Sequence, residues 1–99
     1  MIRHVVMWKL KEGVKVESIF PAFKQYLEET AMQMPGVKID QLSAYPLTTS
    51  NMDMILVSTF SDEKQLANYQ NHPTHQQATA LLKGNVETRS CMDYEINIR

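Results

Sequence analysis

Two stretches of this chain are apolar on both of their faces. Read as extended strands, Ile2 to Leu10 sets His4, Val6, Trp8 and Leu10 on one parity and Val5 and Met7 on the other. Met54 to Phe60 sets Met54, Leu56 and Phe60 against Ile55 and Val57. Successive strand side chains point to opposite faces, so a sheet with these strands at its centre has two apolar surfaces. Both surfaces need cover, because an antiparallel sheet with one wet face alternates cleanly with polar residues.

Between the two stretches the period changes. Ile19, Phe20, Phe23, Tyr26, Leu27, Ala31 and Met34 recur at three- and four-residue spacings, with Glu17, Lys24, Gln25, Glu28 and Glu29 between them. That pattern predicts an amphipathic helix from about Val16 to Met34, irregular only at its entrance, where Pro21 is tolerated, and ended by Pro35-Gly36. Val37 to Tyr45 reads as an edge strand closed by Pro46. Ser61-Asp62-Glu63 opens a second helix carrying Leu66, Ala67 and Tyr69. His72-Pro73 interrupts that helix, and Thr74 opens a second piece with Ala78, Leu81 and Leu82 that ends at Gly84. Val86 to Ile98 supplies the last strand, with Met92, Tyr94, Ile96 and Ile98 on one parity.

The order βαββαβ with right-handed crossovers predicts an α+β, ferredoxin-like plait: a four-stranded antiparallel sheet, strands one and three central, both helices on one face. At 99 residues the chain is expected to be a single domain, residues 1–99. Two helices cover one face and leave Val5, Met7, Ile55 and Val57 open. A second copy, packed sheet against sheet about a two-fold axis, is the expected cover and makes the protein a homodimer. Burial worth roughly 25 cal/mol per Å² of apolar area drives that pairing.

Charge narrows the partners. Ten Lys and Arg against eleven Asp and Glu give a net charge of -1, which speaks against nucleic acid and against a basic membrane-surface protein. Apolar runs such as Met54-Ile55-Leu56-Val57 fall far short of the roughly 20 residues of a membrane-spanning helix. Cys91 is the single cysteine and no charged, apolar leader opens the chain, so the expected location is the cytoplasm.

Candidate chemistry gathers at one place. Of three histidines, His4, His72 and His75, two flank Pro73-Thr74 at the break in the second helix, and Tyr69 stands six residues before His75. Imidazole suits proton transfer near neutral pH, and a tyrosine hydroxyl can donate to a developing enolate. The plainer reading of the same string makes Tyr69 a core residue, His72 the cap or brace of the kink, and His75 a partner of neighbouring carbonyls. The cavity between helix and sheet is expected to be bordered by His4, Val6, Trp8, Met54 and Leu56 from the strands, Phe23 and Tyr26 from the helix, and His72. No third ligand accompanies His72 and His75, so no metal is expected, and Asp40, Asp93 and Glu95 read as solvated strand positions. The seven methionines read as core filling rather than soft-metal ligands. Neither a Ser/His/Asp order, a nucleotide-binding glycine loop nor a Cys-x-x-Cys is present.

Four segments together carry a family likeness: Ile2-Arg3-His4-Val5-Val6, Pro35-Gly36-Val37, Thr59-Phe60, and Tyr69-Gln70-Asn71-His72-Pro73-Thr74-His75. Over essentially its whole length the chain resembles the stress-responsive A/B barrel (Dabb) domain. The resemblance implies a dimeric α+β barrel. The family includes stress-induced plant proteins, uncharacterised bacterial proteins and a polyketide cyclase that closes an aromatic ring by aldol condensation. The resemblance to that cyclase implies that His75 removes a proton flanked by carbonyls, that Tyr69 holds the oxyanion, and that His4 faces the same cavity. The chain departs from it at Met54, where the cyclase has a further cavity histidine, at Trp8, where it has a smaller residue, and at Ala22, where it has a larger one.

The expected role is binding of a small, partly apolar metabolite in that cavity. The alternative is a cyclase, isomerase or lyase acting on an enolisable polyketide-like substrate, with His75 as base and Tyr69 as oxyanion donor. A third reading, a cofactor-dependent monooxygenase of the small dimeric-barrel type, rests on fold analogy, and no cofactor is otherwise expected.

Overall fold

A computed structural model of the protein describes residues 1–96. Strand β1 is Ile2–Leu10, helix α1 is Phe20–Met32, strand β2 is Val37–Ala44 and strand β3 is Met54–Phe60. Helices α2, Glu63–Gln70, and α3, Pro73–Leu82, precede strand β4, Val86–Glu95. The sheet runs β2-β3-β1-β4, antiparallel throughout, so β1 and β3 are central as their two-faced patterns require. The α+β, ferredoxin-like plait expected from the sequence is the fold observed.

The boundaries differ where local geometry overrides periodicity. Helix α1 begins at Phe20 rather than Val16, because Pro21 sits in its first turn and Val16–Ser18 forms a separate 3₁₀ turn ahead of it. The helix also stops at Met32, two residues before the sequence pattern fades. Strand β2 stops at Ala44 since Tyr45 adopts φ 63°, a left-handed geometry that breaks the pleat. Its clean alternation is broken too: the register with β3 shifts between Ile39 and Gln41, a bulge at Asp40. Val37 and Ile39 on one side of the bulge, and Leu42 and Ala44 on the other, therefore all pack against the core.

Helix α2 is capped by Asp62, whose carboxylate accepts from the Gln65 N–H at 2.8 Å. Helix α3 opens at Pro73, not Thr74. His72 is its N-cap, and the Nδ1 lone pair accepts from the Thr74 N–H at 3.2 Å. No helix among the described residues is long and apolar enough to cross a membrane. The end of the expected last strand, at Ile98, lies outside the described residues.

The helices cover one face of the sheet. Beneath them Val6, Trp8, Leu10, Met54, Leu56 and Phe60 are buried with Phe20, Phe23, Leu27, Leu66 and Tyr69. On the other face Val5 and Met7 pair with Val57 and Ile55, all half-buried within the protomer, and β4 adds Met92 and Tyr94, which are exposed. The alternate side chains of β4, Arg89, Cys91 and Asp93, fall on the helix side opposite Trp8, Val6 and His4. These residues are exposed, because the helices stop short of that edge.

Candidate functional site

The uncovered flank of β4 opens a cleft of about 270 Å³ between the sheet and helices α1 and α3. Its walls are mostly apolar. Val6, Trp8 and Leu56 rise from the strands, Phe23 and Leu27 come from α1, and Leu82 closes one side. The Trp8 and Phe23 rings meet edge to face, with centroids 5.2 Å apart. Polar groups enter at defined points: His4 from β1, His75 and Thr79 from α3, Gln70 from the end of α2, and Lys83 and Arg89 at the rim.

The break between α2 and α3 builds the polar end. Tyr69 lies in the last turn of α2 and His75 in the first turn of α3, and the break at Asn71-His72 brings the two side chains together. The two rings meet at 4.7 Å between centroids, inclined by 62°. Tyr69 is fully buried against Phe60, and among the described residues neither its hydroxyl nor His75 Nδ1 has a hydrogen-bond partner. Buried polar atoms are nearly always paired, so these two are open to a water or a ligand. Burial pushes the His75 pKa down to about 4, helped by the nearby His4, while the Gln70 backbone pulls the other way. Burial also raises that of Tyr69, which stays a phenol. At neutral pH the pair offers an uncharged imidazole and an O–H donor.

His4, itself buried, bonds through Nδ1 to the Asp93 carboxylate across the β1–β4 ladder. A carboxylate only accepts, so Nδ1 is the nitrogen that donates to Asp93, and in the neutral ring that bond leaves the lone pair on Nε2. Cys91 Sγ stands 3.7 Å from both His4 Nδ1 and Asp93 Oδ1. Partial burial and the Asp93 charge push its thiol above the usual range.

The structure thus brings together His4, Val6, Trp8, Phe23, Leu56 and His75 around one cleft, with Tyr69 packed behind His75. Three expected lining residues stand elsewhere. Tyr26 sits half-buried at the core's edge, its carbonyl accepting from the Thr30 hydroxyl at 2.7 Å. Met54 is buried at the far end of β3, beside a second hollow of about 410 Å³ walled by residues of the β2–β3 connection. His72 is committed to capping α3.

Asp93 is not a merely solvated strand position, since it orients His4. Asp40, likewise, accepts from the Thr59 hydroxyl. Asp93, Cys91 and Arg89 were missed because their importance depends on register with β1. The visible signal was their shared parity in a strand whose other parity is apolar.

The model of the stress responsive A/B barrel domain matches residues 2–96. Among the curated proteins, none matches the chain in sequence. Of solved structures, a dimeric protein of unknown function with a ferredoxin-like fold from Bacteroides fragilis is similar at 27% identity and TM-score 0.85, over 96% of this chain and 95% of that one. A Dabb-family protein from Mesorhizobium loti is similar at 20% identity and TM-score 0.64, over 97% and 96%. A putative antibiotic biosynthesis monooxygenase from Nitrosomonas europaea is similar at 16% identity and TM-score 0.78, over 96% and 97%. The last two show a shared fold alone. With the family match running almost end to end over this plait, the chain belongs to the stress responsive A/B barrel domain family.

Proposed function

We propose that the protein is a homodimer that binds a small, partly apolar metabolite bearing a carbonyl or enol oxygen in the cleft beside His75. The carrying observation is the unpartnered His75 Nδ1 in the lining of a mostly apolar cleft, with the unpartnered Tyr69 hydroxyl on the ring packed behind it. Apolar walls supply affinity, and two preplaced polar atoms fix orientation. A ligand hydroxyl donating to His75 would satisfy the orphan in the cleft wall, and a ligand oxygen would reach Tyr69 only where the His75 ring shifts to uncover it. Arg89 and Lys83 at the rim suit a ligand with an acidic tail.

Pairing is supported by the dimeric relative from Bacteroides fragilis and by the apolar outer face carrying Val5, Met7, Ile55 and Val57. In this reading the outer face joins the protomers, while each cleft opens on the opposite side of its own sheet.

Catalysis of enolisation is the second reading, and the His4–Asp93 pair favours it. A general base works best with a pKa near the operating pH, so an imidazole depressed to about 4 accepts protons weakly at neutrality. His4, oriented by Asp93, supplies a second imidazole in the same lining as the acceptor, and His75 with Tyr69 then polarises the substrate. The monooxygenase reading has only the shared fold behind it, and fold carries no activity over.

Thermal-shift screening of carbonyl-bearing metabolites tests the proposal. Ligands that stabilise wild type should lose most of their effect on Tyr69→Phe and His75→Ala. Ligands that stabilise both variants as strongly as wild type would remove the site from consideration. Turnover abolished by His4→Gln with binding retained would select the catalytic reading.

A further inference from the structure

We infer that His4, Cys91 and Asp93 form a three-ligand site for a zinc-class divalent cation on the β1–β4 flank of the cleft. One ligand atom from each residue, His4 Nδ1, Cys91 Sγ and an Asp93 carboxylate oxygen, gathers within 4.8 Å of the others. Zinc bonds of about 2.0–2.1 Å to nitrogen or oxygen and about 2.3 Å to sulfur, at tetrahedral angles, put the sulfur ~3.6 Å from each of its neighbours. Here Sγ lies 3.7 Å from both. Only the imidazole–carboxylate pair, now bridged by a proton, has to open toward the ~3.4 Å that a shared ion sets. Asp93, with a side chain 39% exposed on an edge strand, has room to make that movement.

The scaffold is rigid where it needs to be. His4 and Asp93 are opposed in the ladder, Val6 opposes Cys91, and Cys91 and Asp93 share one face of β4 by their two-residue spacing. His4 is only 3% exposed, so its ring is held in place by the core. A neutral imidazole, a thiolate and a carboxylate carry two negative charges, which match a divalent ion. The nitrogen and sulfur donors favour zinc, cobalt or nickel over magnesium or calcium. Arg89, on the same face of β4, opposes the cation, and it offsets only in part the burial and the Asp93 charge that hold Cys91 as a thiol without the metal. Binding is balanced in protons: the Cys91 S–H releases one to solvent, and His4 moves its proton from Nδ1 to Nε2 as Nδ1 takes the metal. Three protein ligands leave a fourth position for water or a ligand oxygen, and His4 is shared with the cleft wall. The site does not depend on the metabolite reading, since metal uptake is measured without any metabolite.

Cobalt titration of the full chain, chelator-treated and kept reduced, tests it. One ion per protomer should bind with an intense near-ultraviolet thiolate-to-cobalt band, visible ligand-field bands of tetrahedral strength and release of one proton, all reversed by zinc. Cys91→Ser should abolish the near-ultraviolet band and weaken binding by more than the roughly 10–100-fold that loss of an outer-shell contact costs. Asp93→Asn should weaken binding while the sulfur band persists. Both positions are at the exposed edge, and circular dichroism confirms that the variants fold. Absence of the sulfur band in wild type, equal affinity in Cys91→Ser, or loss of binding in His72→Gln would each overturn the assignment, the last by placing the ion at the helix break.

Discussion

The Tyr69 hydroxyl is buried in the core, and nothing among the described residues accepts its proton. A buried donor without a partner costs its desolvation, about 1–3 kcal/mol, so Tyr69→Phe should stabilise the ligand-free protein by about that amount while weakening ligand binding. Urea denaturation of wild type and variant measures the first half. A loss of stability instead would show that the hydroxyl is paired in solution. His75 makes the companion prediction in pH. Its folded pKa is about 4 against an ordinary 6.5, so the unfolded chain takes up the proton first as pH falls. Its contribution to stability is complete above pH 6.5 and is lost between there and about 4, and His75→Gln should flatten the pH dependence in that window. Ligand affinity that needs the neutral imidazole should hold across neutrality and fall only as pH approaches 4.

Among the elements, the α2–α3 break matters most, because it sets where His75 stands. His72 caps α3 through Nδ1, so His72→Ala should cost about 1 kcal/mol in thermal denaturation and weaken ligand binding without any lost ligand contact. The kink was legible in the sequence because proline disrupts a helix anywhere past its first turn, and the bounds of β1 and β3 were legible because β-branched and aromatic residues cluster between clear breakers. The start of α1 was not, since Pro21 moves the first helical turn past apolar residues that keep the helical period. Nor was the switch of inward residues in β2, because a bulge leaves no mark when both parities carry some apolar residues. The site was half visible: Tyr69, His75 and His4 stand out by residue type, whereas Asp93 and Cys91 gain meaning only from pairing with β1. Tyr26 shares the helical period of Phe23 yet lies off the cleft, because periodicity names a buried face without saying which part of it stays open.

As a whole molecule, the protomer has a sheet with helices on one side only. The half-buried Val5, Met7, Ile55 and Val57, continued by exposed Met92 and Tyr94, form an apolar field on the other. Sedimentation should give twice the 11.4 kDa chain mass at micromolar concentration. Val57→Asp should shift the protein to a monomer, because a carboxylate there would be buried without a partner. Strand β4 serves both sides: Ser90, Met92 and Tyr94 turn one way, and Arg89, Cys91 and Asp93 the other. A slip of one residue would swap these roles, dropping the carboxylate among the valines and hanging the methionine over the opening. Deleting a single residue from the turn ahead of Val86 would therefore damage assembly and chemistry in one stroke, whereas removing two would leave the alternation in phase.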